Sequence, residues 1–294
     1  MELVCVIILN YNNGSKTIAC LDSLFIQTYK NYIIAIVDNC STDDSIEIIV
    51  THLEQRKKVF DTIRQHSTLS RGMPLGNQVT LIHSNSNGGY AFGNNIGIDY
   101  AKKNKSVSHI LILNNDVELP KDFLEKAYKS YNKLVKYEGK SRVALTFPEY
   151  TLDNSKIHNG FYYLNLLTGL ALSFPHPLSI KYIVGACIFL PVNAPFMDDS
   201  FFLYFDDVDY SILLKKQGFR LNSSELTNYY HEMGSSSKLL PDRHKIIFKS
   251  MKKFYKNNYP YLFPFVVFLR FFMNIFMGRI RIAIDLLKIS IPMV

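Results

Sequence analysis

Cysteine is scarce. The four in this 294-residue chain (Cys5, Cys20, Cys40, Cys187) are scattered and none forms a Cys-x-x-Cys pair. That argues against a disulfide framework or a cysteine zinc site, and a reducing compartment is expected. The Gly-x-Gly-x-x-Gly turn of a dinucleotide-binding fold is missing after the first strand pattern, where the chain reads Asn10-Tyr11-Asn12-Asn13-Gly14. This counts against a nicotinamide enzyme. There is no internal repeat and no low-complexity tract. No basic n-region precedes the first strand pattern, so no secretory leader is expected. The run Tyr261–Met277 looks like a membrane span, but Pro264 and Arg270 interrupt it. It is also shorter than the ~20 residues a span needs.

What is present is a chain with 48% hydrophobic residues and a formal charge of +8. The length allows one large core with an appendage, and the charge could face anionic lipid, phosphorylated ligands or nucleic acid. Leu3–Leu9, Tyr32–Val37, Val79–His83, Ile110–Leu113 and Arg142–Phe147 read as strands, mostly apolar without interruption. Helix patterns separate them: Ser15 as a cap, then Ile18, Leu21, Leu24 and Phe25 on one face; Ser41 or Thr42 as a cap, then Ile46, Ile49, Val50 and Leu53. Pro120 opens a third, with Phe123, Leu124, Ala127, Tyr128, Tyr131, Leu134 and Val135 on one stripe. Strand–helix alternation predicts an α/β fold on a mostly parallel sheet. The polar, basic stretch 53–78 reads as a surface insertion, and Glu149–Ser179 has no steady period.

In such a sheet, ligands bind beyond the carboxyl ends of the strands. Asp116 lies there, after Asn114-Asn115, where a carboxylate can hold a divalent cation and, through it, a diphosphate. The turn Asn87–Gly97 offers close backbone approach and a helix N-terminus that favours an anion, with Asn94 and Asn95 as hydrogen-bonding groups. Asp206, Asp207 and Asp209 follow an aromatic run at a helix start, where one could act as a general base. His231 is an imidazole that could ligate a metal.

In order along the chain, Val6-Ile-Ile-Leu-Asn-Tyr-Asn12, Val37-Asp38-Asn39 with Ser41-Thr42-Asp43, Asn87–Asn95, Leu113–Asp116, Gly185-Ala186-Cys187, Phe201–Asp209, and His231 with Gly234-Ser235 resemble family 2 nucleotide-sugar glycosyltransferases. The resemblance spans roughly Val4 to Ser236 and is nearest to bacterial rhamnosyltransferase-like members. It implies a GT-A fold and an inverting transferase of cell-surface polysaccharide synthesis. Asp38 corresponds to the acid that bonds the donor's pyrimidine base; Asn10, Asn94, Asn95 and Asn114 fall on the donor side. Asp116 corresponds to the last acid of an Asp-x-Asp metal motif, and His231 to the histidine that completes a Mg²⁺ or Mn²⁺ site. Asp207 corresponds to the catalytic base, with Asp206 and Asp209 on the acceptor side. Two positions depart from the family: Asn114 stands for the first acid of Asp-x-Asp, and Asp206 for the Glu of a Glu-Asp pair. The expected donor is dTDP- or UDP-linked, dTDP-rhamnose first, and the acceptor a glycan or lipid-linked glycan.

The expected division is a catalytic domain over 1–240 and a basic, aromatic helical tail over 241–294. In the tail, Arg270, Asn274, Arg281, Asp285 and Lys288 share a narrow sector at helical spacing, leaving a wide aromatic face. With Lys249, Lys252, Lys253 and Lys256 ahead of it, this predicts a helix lying on an anionic membrane surface, on the cytoplasmic side, with no nucleic-acid partner. The alternative is a helix packed on protein. Two other functions remain open at this point, a sugar nucleotidyltransferase and a non-catalytic glycan-binding protein. The first would want a glycine- and arginine-rich loop after the first strand.

Overall fold

A computed structural model describes residues 2–65, 78–139, 142–231 and 242–290. Gly234, Ser235 and residues 66–77 of the stretch read as an insertion lie outside the described residues. The first half alternates as expected: β1 (Leu3–Asn10), α1 (Gly14–Phe25), β2 (Tyr32–Asp38), α2 (Ser45–Gln55), β3 (Phe60–Arg64), β4 (Val79–His83), α3 (Tyr90–Lys103) and β5 (Val107–Asn114). Then come β6 (Val117–Glu118), α4 (Phe123–Glu138), β7 (Val143–Thr146) and the short strands β8 (Glu149–Tyr150), β9 (Lys156–His158), β10 (Phe161–Asn165), β11 (Ala171–Leu172) and β12 (Ser179–Ile183). β13 (Cys187–Pro191), α5 (Asp206–Lys216), β14 (Arg220–Ser223) and β15 (Tyr229–His231) precede three helices, α6 (Arg243–Asn258), α7 (Phe263–Phe276) and α8 (Ile280–Ser290).

Eight strands form the central sheet in the order β14-β7-β13-β5-β1-β2-β4-β3. β13 runs antiparallel to β5 and β7; the other pairings are parallel. The apolar runs are buried on both faces. Val4, Val6 and Ile8 join the core formed with α1, α2 and α4, while Leu3, Cys5 and Ile7 join the one formed with α3 and α5. This two-sided burial explains why the strands read as continuous rather than alternating.

Several local expectations are corrected. The supposed insertion contributes β3, an edge strand parallel to β4. Ser41 and Thr42 do not cap α2, which begins at Ser45; they are drawn to the β1 and β2 tips, where Ser41 bonds Asp38 and Thr42 bonds Asn12. Likewise α1 starts at Gly14, and α4 starts at Phe123, three residues after Pro120. All four cysteines are free thiols.

The tail packs on the rest of the chain. α6 buries Phe248, Met251, Phe254 and Tyr255 against Phe201, Phe205, Val208 and Tyr182 of the first domain. Among the described residues, no helix is long and apolar enough to cross a membrane.

Candidate active site

The tips of β1, β2 and β5 are locked together by side chains. Asn10, wholly buried, donates to Asp38 Oδ1 at 2.8 Å and accepts from Thr17 Oγ1 at 2.7 Å. Asn115 donates to Asn10 Oδ1 and Thr17 Oγ1. The Ser41 amide and hydroxyl fill the rest of the Asp38 carboxylate. These bonds satisfy polar groups buried at the end of an apolar sheet. They also bring the start of the polar tip Asn114–Asp116 into register with the β1 and β2 loops.

Beside this hub, a small sheet in the order β6-β15-β8-β9 assembles a second polar cluster. Its register sets His231 opposite Val117, the residue after Asp116; Tyr229 opposite Glu149; and Glu149 opposite His158. His231 Nε2 lies 3.0 Å from Asp116 Oδ1, and its Nδ1 lies 3.0 Å from Glu149 Oε1. Glu149 also accepts from Tyr229 Oη at 2.6 Å, and His158 Nε2 stands 2.8 Å from its second oxygen. His158 Nδ1 accepts the Gly160 amide, so the proton of the neutral ring sits on the Nε2 that faces Glu149.

Burial by itself would raise the Glu149 carboxyl. The bonds from His158, His231 and Tyr229 and the charge of His231 hold it instead at about 2. Burial would lower His231, but its bonds to the Asp116 and Glu149 carboxylates push it up to about 9. Both ring nitrogens thus face a carboxylate, an arrangement that favours the imidazolium.

The acids of α5 follow a strained stretch of backbone. Tyr204 and Phe205 both have positive φ, 68° and 63°, immediately before Asp206. Non-glycine residues rarely adopt that conformation, and pairs of them concentrate where a chain must present side chains in a set direction. Two contacts hold it. The Phe202 carbonyl accepts the Tyr90 amide at 2.9 Å, passing over Gly89, where an added Cβ would meet that oxygen at 2.0 Å. Ser250 of α6 donates to the Leu203 carbonyl at 2.8 Å. Tyr90 Oη in turn donates to the Gly185 carbonyl, and Asn114 N to the Ala186 carbonyl, linking this loop to the β5 tip. Burial raises the Asp207 carboxyl well above the usual range, and Asp206 beside it adds to the effect. Burial likewise raises Asp206, to about 6, against backbone amides at the helix start that lower it.

Residues 5–142 match the family model described as Glycosyl transferase family 2. That stretch is a family 2 glycosyltransferase domain. Over 128 residues the chain is 29% identical to glycosyltransferase GlyG of Streptococcus pneumoniae, covering 44% of this chain and 35% of that protein. It is 19% identical over 218 residues to the low-salt glycan biosynthesis hexosyltransferase Agl10 of Haloferax volcanii, covering 70% and 68%. The chain thus spans about a third of GlyG's length (35%) and about two thirds of Agl10's (68%). Among solved structures, the mannosyltransferase PcManGT of Pyrobaculum calidifontis, in complex with GDP-Man and Mn²⁺, superposes with a TM-score of 0.53 at 14% identity, over 97% of this chain and 74% of that one. The fold is GT-A.

Several of the site positions expected from the sequence have partners inside the protein. Asn94 is wholly buried and donates to its own helix at Tyr90 O, so it does not line the rim. Both amide atoms of Asn95 are taken by the Met197 backbone, at 2.9 Å each. Asn10 and Asp38, at most 1% exposed, are engaged with each other and with Thr17 and Ser41. Asp209 accepts from Asn258 and so ties α5 to α6. Asn114 stays half-buried at the β5 tip, and Asp116 and His231 come together as expected. Sequence reasoning missed Glu149 and Asn115. Asn115 is legible only as one asparagine among three polar tip residues. Glu149 lies in a two-residue strand without local periodicity.

Among the described residues, no cluster of three or more His, Cys, Asp or Glu stands ready for a metal. Asp116 and His231 together supply one carboxylate and one imidazole. This set fits a divalent cation that takes its remaining ligands from substrate phosphates and water. Glu149 on the far nitrogen is the outer partner that metal-binding histidines require.

Proposed function

We propose that the chain is an inverting glycosyltransferase, moving a hexosyl or deoxyhexosyl unit from a nucleoside diphosphate to a hydroxyl of a glycan or lipid-linked glycan in cell-surface polysaccharide synthesis. The observation that carries this reading is the Asp116–His231–Glu149 cluster at the carboxyl end of the sheet, beside a loop that delivers Asp207. In this reading the β1 and β2 tips, organised by Asn10 and Asp38, receive the nucleoside. Asp116 and His231 would hold Mg²⁺ or Mn²⁺, the cation taking the place of the Nε2 proton while Glu149 keeps the other proton on Nδ1. The cation would offset charge on the leaving diphosphate.

Asp207 accepts the acceptor hydroxyl proton as that oxygen bonds to the anomeric carbon. The bond from that carbon to the diphosphate breaks on the opposite face, and the configuration inverts. The raised carboxyl makes Asp207 a stronger proton acceptor, once ionised, than an exposed aspartate. Asp206, pointing into the helix start, sustains that basicity through its charge. The chain would work on the cytoplasmic face of the membrane, peripherally attached through its tail.

Family resemblance puts dTDP-rhamnose first among donors and UDP-hexoses next. The test is calorimetric titration of dTDP and UDP, with and without Mn²⁺, into wild type and Asp116→Ala, followed by assay of nucleoside diphosphate release. Metal-dependent binding lost in the variant supports the reading. Metal-independent binding removes Asp116 and His231 as ligands. Pyrophosphate release would indicate a nucleotidyltransferase, and no turnover of any donor a binding protein.

A further inference from the structure

α7 is inside out. A surface helix of a protein in water turns its apolar stripe to the core and its polar residues outward. Here Phe265, Phe268, Phe272, Ile275 and Phe276 are exposed, Phe276 at 89%, while Arg270 and Asn274 face the protein. The Arg270 guanidinium lies near the Tyr255 ring oxygen, its Nε buried without a hydrogen-bond partner, and burial lowers its pKa. Asn274 donates to the Arg270 carbonyl at 2.7 Å. The polar sector predicted from the sequence is thereby split. Gly278, at φ 68°, breaks the helix, and Asp285 on α8 bonds His244 of α6 at 2.8 Å, so only Arg281 and Lys288 of that sector remain exposed. The apolar face continues past the break through Met277, Ile280 and Ile284, and Tyr261 stands at its start, 95% exposed.

The charge around this face has one sign. Residues 242–290 carry ten basic and two acidic side chains, a net +8 that equals the formal excess of the entire chain. No acid occurs from Arg243 to Ile284. Lys252 and Lys253 are spent inside the protein, on the Ile289 carbonyl and on Asp198. Lys249, Lys256, Arg279, Arg281 and Lys288 are exposed.

We infer that the α7–α8 hairpin is the docking surface for an anionic lipid bilayer, with Phe265, Phe268, Phe272 and Phe276 entering the acyl boundary and Arg279 and Arg281 meeting headgroups. An apolar face exposed beside concentrated positive charge matches a surface that is apolar within and anionic at its edge. A second copy of the chain fits poorly, because it would oppose one +8 tail with another. The inference deepens the peripheral attachment proposed above by naming the lipid chemistry and the residues that read it, and it needs no turnover. α6 joins this surface to the catalytic loop, since the same helix holds the Leu203 carbonyl through Ser250.

The test is sedimentation of the full chain with phosphatidylcholine vesicles and with vesicles containing phosphatidylglycerol. Wild type is expected to bind the anionic vesicles and to release them as salt rises. Phe268→Ser with Phe272→Ser removes two exposed rings without opening the core, and binding should fall at least tenfold. Arg279→Gln with Arg281→Gln should lose the anionic preference. Undiminished binding by the Phe pair overturns the inference, as does equal binding of wild type to both vesicle types. A wild type that ignores vesicles and forms a dimer dispersed by the Phe pair also overturns it, in favour of a second copy. Nucleotide titration of the same variants separates the two readings: vesicle binding without donor binding sinks the transferase and leaves the docking surface standing.

Discussion

Replacing Glu149 by glutamine tests the polar cluster most directly. The carboxylate is 1% exposed and receives His231 and Tyr229, with His158 against its second oxygen. The rise of His231 to about 9 from its ordinary 6.5 corresponds to roughly 3 kcal/mol favouring the folded imidazolium. Two carboxylates share it, so Glu149 accounts for about half. The glutamine would also turn an amide N–H toward buried donors, each costing about 1–3 kcal/mol when left unpaired. Together a loss of about 3–5 kcal/mol is expected, as for other broken buried pairs.

The pH dependence has a definite sign. A histidine raised in the folded state stabilises fully below its unfolded value, near 6.5, and that stability fades as pH rises through about 9. The gap between wild type and Glu149→Gln in urea unfolding should therefore be widest near pH 6 and narrow above pH 9. Isothermal titration of Mn²⁺ should show about a 10–100-fold weaker site in the variant, the usual cost of losing an outer partner. A variant whose Mn²⁺ affinity and His231 titration match wild type would refute the argument.

Asp207→Asn should lower turnover about 10²–10⁴-fold with donor binding intact, measured by nucleotide release and calorimetry; equal activity would remove Asp207 from the role. Asp206→Asn removes the like charge beside Asp207, so the acid limb of the rate profile should move to lower pH; an unmoved limb would discount that coupling. Gly89→Ala forces a Cβ onto the Phe202 carbonyl at a positive φ and should cost about 1–3 kcal/mol, read as a lower melting temperature together with lost turnover.

Five of the eight strands of the central sheet, β1, β2, β4, β5 and β7, were legible in the chain. These strands are continuous apolar runs because both faces are covered, and a run such as Ile110–Leu113 has few alternatives to burial. The polar tip where one of those runs stops also marked Asp116, while Asp207 was marked by the aromatic run ahead of a helix start. Tertiary structure decided how those groups are wired. Glu149 and His231 are 82 residues apart and meet only through two-residue and three-residue strands, too short for a periodic signature. Asn10, Asn94 and Asn95 read as ligand groups because amides bind sugars and backbones equally well, and only packing showed which they had found. The tail makes the same point. Helical spacing separated its polar sector from its aromatic face, but periodicity does not tell inside from outside, and the contacts of α6 turned Arg270 inward and left the phenylalanines exposed.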